Sequence, residues 1–319
     1  MKRYLIAMGW LMLASATPLA ADSPPAGKLP VAAFGQLPFV EHAEISPDGT
    51  HWAGLLGVGG VQIVAIINLF DKTETIVRMG VPDGVQARWL RWVNTDNLLV
   101  GVDALQAIET SDWYISRTIA LNRVSGKMTP LLWDLGGQNA GDVLWWPHDN
   151  SNEVLIAGQN SIYDSEDWWP GVYRVNVTTG HYRVDVRPNP GIANWAADGD
   201  GTVRVGVGYD DSRLTSRLVY RPGGSRASFH TVDRADARKG ESLLAPFMFL
   251  PGGDHALVIH DNEQGRSSIY EMDMATQTEV RAVYTAGCRR SRCADRVGGR
   301  LDVNGSCRYF SARRSPLVR

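Results

Sequence analysis

A turn motif recurs along this chain at intervals of about fifty residues. Its aspartates, Asp48, Asp96, Asp149, Asp198 and Asp254, follow one another after 48, 53, 49 and 56 positions. Each turn lies between short runs rich in β-branched and aromatic residues, and each has Gly or Asn beside the aspartate. Gly and Asn tolerate the positive φ angles that tight hairpin turns require. The pattern therefore predicts short antiparallel strands that are grouped into similar units.

About four short strands fit into each unit, which is the spacing typical of the blades of a β-propeller. We therefore predict an all-β fold, a β-propeller with about five recognisable four-stranded blades over residues 42–284, in an incomplete array. A β-sandwich and a β-solenoid stay open as alternatives, although a β-sandwich would lack so regular a long period. The one competing pattern is a weak helical stripe over residues 102–110, which also fits a loop.

Five tryptophans occupy one place in the repeat, just before the first turn of a unit: Trp89, Trp92, Trp145, Trp146 and Trp195. Recurrence at one repeat position indicates packing between blades rather than stacking on a ligand, because neighbouring blades cover each other's faces. Trp168 and Trp169 differ, since they follow the polar run 163–167 in a loop. We predict that these two residues form an exposed aromatic lip that contacts a peptide or protein ligand.

The N-terminus has the pattern of a secretory signal peptide. Lys2 and Arg3 precede an apolar run over residues 5–16, and the small residues Ala20 and Ala21 follow. Such a run is shorter than the ~20 residues that span a bilayer. We therefore predict a signal peptide over residues 1–21, an extended segment over residues 22–41 that leads into the blades, and export to the periplasm or beyond. No stable membrane span is expected after cleavage.

Charge and cysteine content change abruptly near residue 285. Residues 285–319 carry a net charge of +7 and all three cysteines, Cys288, Cys293 and Cys307, whereas residues 1–284 carry −9. The spacing of the cysteines lacks a fourth ligand, so we predict no metal site there. We interpret residues 285–319 as an Arg/Cys-rich tail that is disordered or that arises from a shifted reading frame.

No residue pattern for catalysis or for cofactor binding occurs in the sequence. A serine hydrolase of the α/β type needs Gly-x-Ser-x-Gly between a strand and a helix, and the nearest match, residues 265–269, lacks the final Gly. The seven histidines show no metal-binding spacing. We therefore predict no catalytic, cofactor-binding or metal-binding residues and no cofactor. Because an exported protein seldom meets nucleic acid, we also predict no nucleic-acid partner.

Three stretches of the blades resemble a known family. They are residues 46–49 (Ser-Pro-Asp-Gly), residues 90–100 (Leu-Arg-Trp-Val-Asn-Thr-Asp-Asn-Leu-Leu-Val) and residues 173–180 (Tyr-Arg-Val-Asn-Val-Thr-Thr-Gly). These stretches resemble the N-terminal propeller of the prolyl oligopeptidase family of serine peptidases. The resemblance is to exported bacterial members of the dipeptidyl-aminopeptidase and acylaminoacyl-peptidase types in particular. In that family the propeller filters substrates for a C-terminal α/β-hydrolase domain that carries the catalytic Ser, Asp and His.

None of those three catalytic positions has a counterpart in this sequence. The resemblance therefore implies a substrate-gating propeller portion, truncated before the hydrolase domain and inactive alone. The alternative is a stand-alone periplasmic propeller that binds a peptide or protein partner. Because an incomplete array leaves blade edges uncovered, we also expect self-association through those edges.

Overall fold

The computed structural model describes residue 35 and residues 38–223, 227–285, 300–301 and 307–308. Within them the chain forms five four-stranded antiparallel sheets, and each sheet consists of four strands that follow one another in the sequence. This arrangement confirms the predicted all-β propeller fold with five blades. The predicted signal peptide, most of the extended segment and most of the Arg/Cys-rich tail lie outside the described residues.

The blades follow one another along the chain. Blade 1 contains β1 (Val40–Ile45), β2 (His51–Val58), β3 (Val61–Asn68) and β4 (Val77–Gly80). Blade 2 contains β5 (Val85–Trp92), β6 (Asn97–Ile108), β7 (Ser111–Asn122) and β8 (Met128–Leu131). Blade 3 contains β9 (Asp142–Trp145), β10 (Glu153–Gly158), β11 (Gly171–Asn176) and β12 (Tyr182–Val186).

The last two blades have the same plan. Blade 4 contains β13 (Asn194–Ala197), β14 (Val203–Asp210), β15 (Thr215–Tyr220) and β16 (His230–Asp236), and a 3-10 helix (Ala237–Lys239) follows it. Blade 5 contains β17 (Pro246–Phe249), β18 (His255–Asp261), β19 (Ser267–Asp273) and β20 (Thr278–Tyr284). Beyond the blades, β21 (Arg300–Leu301) pairs with β22 (Cys307–Arg308). The five predicted Asp turns each join the first strand of a blade to the second.

The stripe over residues 102–110 is neither a helix nor a loop. It belongs to the hairpin of β6 and β7, which pair without interruption from Asn97 opposite Asn122 to Ile108 opposite Ser111. Glu109, at the turn, has a φ of 56°. Twelve cross-strand pairs outweigh a weak helical pattern of nine residues, because side-chain pairs across strands stabilise a sheet cumulatively.

Hydrophobic clusters join consecutive blades. One cluster joins blades 1 and 2 around Leu55 and Leu98, and another joins blades 2 and 3 around Leu99 and Ile156. Two more join blade 3 to blade 4 and blade 4 to blade 5. Among the described residues, none of these clusters joins blade 5 back to blade 1. In the described part of the chain, four interfaces therefore join the five blades, and the outer faces of blades 1 and 5 are not covered by each other.

The repeated tryptophans contribute to these interfaces, as predicted. Trp145 of blade 3 donates a hydrogen bond from Nε1 to the carbonyl oxygen of Gly199 in blade 4, at 2.8 Å. Trp195 of blade 4 donates to the carbonyl oxygen of Pro170 on the blade 3 side, at 2.7 Å. Trp92 is buried between blades 1 and 2, and Trp89 and Trp146 pack between blades 2 and 3.

Polar side chains near the first turns also bridge neighbouring blades. Asn94 of blade 2 donates from Nδ2 to the carbonyl oxygen of Ser151, at 2.9 Å, and to Oδ1 of Asn152, at 2.7 Å, both in blade 3. Between blades 1 and 2, Arg123 lies 3.4 Å from Nε2 of His51 and 3.9 Å from the carboxylate of Glu74. Each bridge fixes one blade relative to the next.

The bridge between blades 4 and 5 is centred on a buried arginine. Arg204 donates from Nη1 to Oδ2 of Asp198 at 3.0 Å and from Nη2 to the hydroxyl of Tyr220 at 2.8 Å, and it contacts the carboxylate of Asp254. Although burial raises the pKa of Asp254, hydrogen bonds from Tyr220 and from the backbone N–H of Gly223, together with Arg204, hold it below its ordinary value. Asp254 is the aspartate of the fifth predicted turn, so that turn has a structural role.

Candidate functional site

The turns define two ends of the array. At the first-turn end, the Asp turns join the first and second strands of each blade. At the other end, which we call the hairpin end, the second strand joins the third, through residues 59–60, 109–110, 159–170, 211–214 and 262–266. Blade 3 has the longest of these connections, and that connection carries Trp168 and Trp169.

The connection 159–170 is held by hydrogen bonds from its own buried base. Gln159 accepts a hydrogen bond at Oε1 from the backbone N–H of Gln138, at 2.8 Å, and donates from Nε2 to the carbonyl oxygen of Trp168, at 2.6 Å. Asn160 donates to Oδ1 of Asp167, at 3.0 Å, and accepts a hydrogen bond from the hydroxyl of Tyr173. These bonds fix the loop before any ligand arrives, which lowers the entropic cost of binding.

One aromatic ring of the loop packs against the long hairpin of blade 2. The ring of Trp168 meets the ring of Trp113 edge to face, with 6.3 Å between centroids. Trp168 is 37% exposed and Tyr163 is 73% exposed, whereas Trp169 is partly buried. We call Trp113, Tyr163, Trp168 and Trp169 the aromatic lip. Contact of the predicted pair Trp168 and Trp169 with a ligand stays a prediction.

Two members of the aromatic lip were not selected from the sequence. Trp113 comes two positions after β7 begins, where nothing in the repeat distinguishes it, and only its ring contact with Trp168 in the folded structure connects it with blade 3. Tyr163 precedes Trp168 by five residues in the same loop. Its position within a polar run beside two tryptophans was a signal that could have included it.

The segments that carry the aromatic lip are acidic. The two segments that form it, residues 109–113 and 159–170, contain no Lys or Arg. Their five carboxylates belong to Glu109, Asp112, Asp164, Glu166 and Asp167. Aromatic faces attract cations through the ring quadrupole, and carboxylates attract them directly. The surface therefore favours a ligand that combines an apolar or aromatic group with a positive charge.

His51 belongs to a polar cluster between blades 1 and 2. His51 is buried, and its Nε2 lies 3.0 Å from Oε1 of Glu74 while its Nδ1 lies 2.6 Å from the hydroxyl of Thr50. The contacts of Thr50 with His51 and of His51 with Glu74 resemble the arrangement of nucleophile, base and acid in a catalytic triad. The Thr50 hydroxyl, however, donates to Oδ2 of Asp48 at 2.8 Å, so its proton is already held by the first turn. We assign this cluster to the bridge between blades 1 and 2.

The described residues contain neither a candidate metal site nor a helix that could cross a membrane. Across residues 38–223 and 227–285, no group of three or more His, Cys, Asp or Glu side chains has a geometry that could hold a metal ion. No described helix has the length and the apolar composition required to cross a bilayer.

Comparisons with known proteins give distant structural likenesses. No protein-family model matches the sequence, and no curated protein matches it. TolB from Acinetobacter baumannii is 12% identical, with 75% of this chain and 53% of that chain covered and a TM-score of 0.37. Oligopeptidase B from Leishmania major is 10% identical, with 79% and 35% covered and a TM-score of 0.45.

A putative dipeptidyl aminopeptidase IV from Bacteroides ovatus is also similar, at 10% identity, with 79% of this chain and 48% of that chain covered and a TM-score of 0.38. The chain thus spans about half the length, or less, of these three solved structures. Likenesses at this level do not assign a function. The description of the fold as propeller blades therefore depends on the five sheets of this chain itself.

Proposed function

We propose that this chain is a binding scaffold, the substrate-gating propeller portion of a prolyl oligopeptidase-like serine peptidase, which has no activity alone. The supporting sequence is the resemblance carried by residues 46–49, 90–100 and 173–180. The observation that carries the binding role is the aromatic lip, because Gln159 and Asn160 fix its loop while the ring of Trp168 stays accessible. We further propose that the protein acts in the periplasm or outside the cell.

The ligand that fits this surface best is a peptide with basic and aromatic side chains. An aromatic side chain of the peptide would stack on Trp168 or Tyr163, and a lysine or arginine would meet the carboxylates of Asp112 and Glu166. Aromatic anchors in a fixed loop usually supply most of the binding energy of such an interface.

Replacing Trp168 by Ala is expected to weaken peptide binding by about tenfold, the equivalent of about 1.4 kcal/mol. The measurement is fluorescence anisotropy with two labelled hexapeptides that share a central phenylalanine and carry either two lysines or two glutamates. Phe70→Ala is the matched control, since Phe70 is 78% exposed but lies at the first-turn end. Equal binding of the two peptides, or equal loss in both variants, would contradict the proposed site.

The proposed lack of activity is tested separately. Among the described residues, no hydrogen bond joins a serine hydroxyl to a ring nitrogen of a histidine, so no serine there has an imidazole base to activate it. We expect no labelling of the purified chain by a fluorophosphonate probe and no hydrolysis of peptide amide substrates. Covalent labelling that mass spectrometry maps to a residue of this chain would overturn the proposal.

A second candidate function is a stand-alone propeller whose partner is another copy of the same chain. It is favoured by the face of blade 1 that points away from blade 2, which bears Ile45, Trp52, Leu56, Ile63 and Ile67. All five side chains are partly or largely exposed, and no described cluster covers them. Neighbouring blades bury such faces in the four interfaces that are present, so this face has the composition of an interface without a partner.

A further inference from the structure

We propose that a pocket at the hairpin end of blade 4 binds a small oxyanion, either a carboxylate or a phosphate group. The pocket has a volume of about 410 Å³. Three of its lining side chains are arginines, Arg213, Arg217 and Arg234, and one is an acid, Asp210. The pocket shares no residue with the aromatic lip, and the inference does not depend on the proposed peptidase relationship.

The first argument is the register of two arginines. Arg217 of β15 lies directly opposite Arg234 of β16 in the antiparallel pairing. Residues in such positions have Cβ atoms about 4.5–5.5 Å apart, and like charges there destabilise the pair. An oxyanion between the two guanidinium groups would replace that repulsion by two attractions. Paired arginines also match the oxygen geometry of carboxylates and phosphates.

The second argument is that Asp210, the one carboxylate among the residues that line the pocket, is already engaged. Asp210 accepts hydrogen bonds from Nη1 of Arg213, at 2.7 Å, and from the hydroxyl of Ser212, at 2.6 Å. Asp233 accepts one from the backbone N–H of Leu244, at 3.2 Å. No described residue forms a hydrogen bond or an ion pair with Arg234. The positive charge of Arg234 is therefore available to a ligand.

The third argument is that the pocket has a rigid floor. A Cβ on Gly208 would overlap the carbonyl oxygen of Gly191, so the two backbones approach more closely than any other residue allows. Gly191 has a φ of +81°, and a Cβ there would lie 3.2 Å from Nη2 of Arg217. Arg217 also donates from Nη2 to the carbonyl oxygen of Pro190. One of the two opposed guanidinium groups is thus held in place, and the other faces it unpaired.

The local charge differs from that of the chain around it. Residues 1–284 carry a net charge of −9, whereas the four charged groups of this pocket sum to +2. The long-range field of residues 1–284 therefore disfavours anions, and binding is expected to depend on short-range contacts inside the pocket. Binding is consequently expected to discriminate oxyanions from chloride rather than to follow ionic strength alone.

The test compares wild-type protein with Arg234→Gln and Arg183→Gln. Arg183 is the control because it is exposed in blade 3 and pairs with Glu153, at 2.9 Å. The melting temperature is measured in sodium phosphate, sodium acetate and sodium chloride at equal ionic strength, since a ligand of the native state stabilises it by mass action. We expect phosphate or acetate to raise the melting temperature of the wild type and of Arg183→Gln, and Arg234→Gln to lose most of that increase.

A second arm separates the two sources of the oxyanion. A pentapeptide with a free C-terminal carboxylate and its C-terminal amide are titrated calorimetrically, with and without competing inorganic phosphate. If the pentapeptide with a free carboxylate binds at least tenfold more tightly than its amide, and Arg234→Gln loses that difference, the site is assigned to peptide carboxylates. If only inorganic phosphate binds, the site is assigned to phosphate. Equal behaviour in all salts, or equal losses in Arg234→Gln and Arg183→Gln, would overturn the proposal. Trp168→Ala is expected to leave oxyanion binding unchanged. The oxyanion site and the aromatic lip can therefore be contradicted independently of each other.

Discussion

Arg204→Ala is expected to lower the free energy of unfolding by about 3–5 kcal/mol. The guanidinium of Arg204 is almost fully buried, and it holds Asp198, Asp254 and Tyr220 at the interface of blades 4 and 5. Without it, the carboxylates of Asp198 and Asp254 would lose the guanidinium group that both of them contact. Removing one partner of a buried pair is costly because the remaining charge has neither a counterion nor full hydration.

The measurement is equilibrium unfolding in urea, followed by tryptophan fluorescence. Arg183→Ala is the matched control, because its pair with Glu153 is solvent-exposed and such pairs contribute about 0–1 kcal/mol. Arg204→Met is a second variant that keeps much of the side-chain volume. If both Arg204 variants unfold at the same urea concentration as Arg183→Ala, the network does not hold the two blades together.

Ile45→Lys is expected to weaken self-association of the chain by at least tenfold. Ile45 is 61% exposed on the uncovered face of blade 1, opposite Trp52 in the pairing of β1 and β2. At the other end of the array, β20 is exposed along its whole length, with Tyr284 opposite Ile269 of β19. Contact of blade 5 in one copy with blade 1 in another would be heterologous and would generate chains or rings.

Sedimentation velocity at several protein concentrations gives the result directly. The wild type should form larger species as concentration rises, while Ile45→Lys should stay monomeric over the same range, because a buried lysine without a partner opposes association. Val124→Lys is the control, since Val124 is 71% exposed in blade 2, away from both uncovered faces. A wild-type chain that is monomeric throughout, or an equal effect of both lysines, would contradict self-association through blade 1.

Most of the division of the chain into four-stranded blades could be predicted, because the residues that form each turn are neighbours in the sequence. Each Asp turn at residues 48, 96, 149, 198 and 254 is a tight connection whose chemistry involves only a few neighbouring residues. The repeated position of Trp145 and Trp195 was sufficient to predict packing between blades, although Trp145 bonds to blade 4 and Trp195 bonds back to the blade 3 side. Over residues 102–110 the sequence left a weak helical stripe or a loop open, and pairing with β7 outweighed both.

The candidate site was only partly predictable. Trp168 and Trp169 attracted attention as adjacent aromatic residues in a polar loop. Nothing local indicated that Trp113, more than fifty residues earlier, meets Trp168, or that Gln159 anchors the loop from below. The opposition of Arg217 and Arg234 was likewise invisible, because a sequence does not state the register of two strands.

By itself, the sequence determined that this chain forms repeated four-stranded blades, where the first turn of each blade falls and which tryptophans lie between blades. Only the tertiary structure decided which apolar face of blade 1 is left uncovered by the described residues, and that one buried arginine joins blades 4 and 5. The physical reason is the separation in sequence of the residues that interact. Turns and strand propensity depend on neighbouring residues, whereas closure, register and charge pairing depend on residues that only folding brings together.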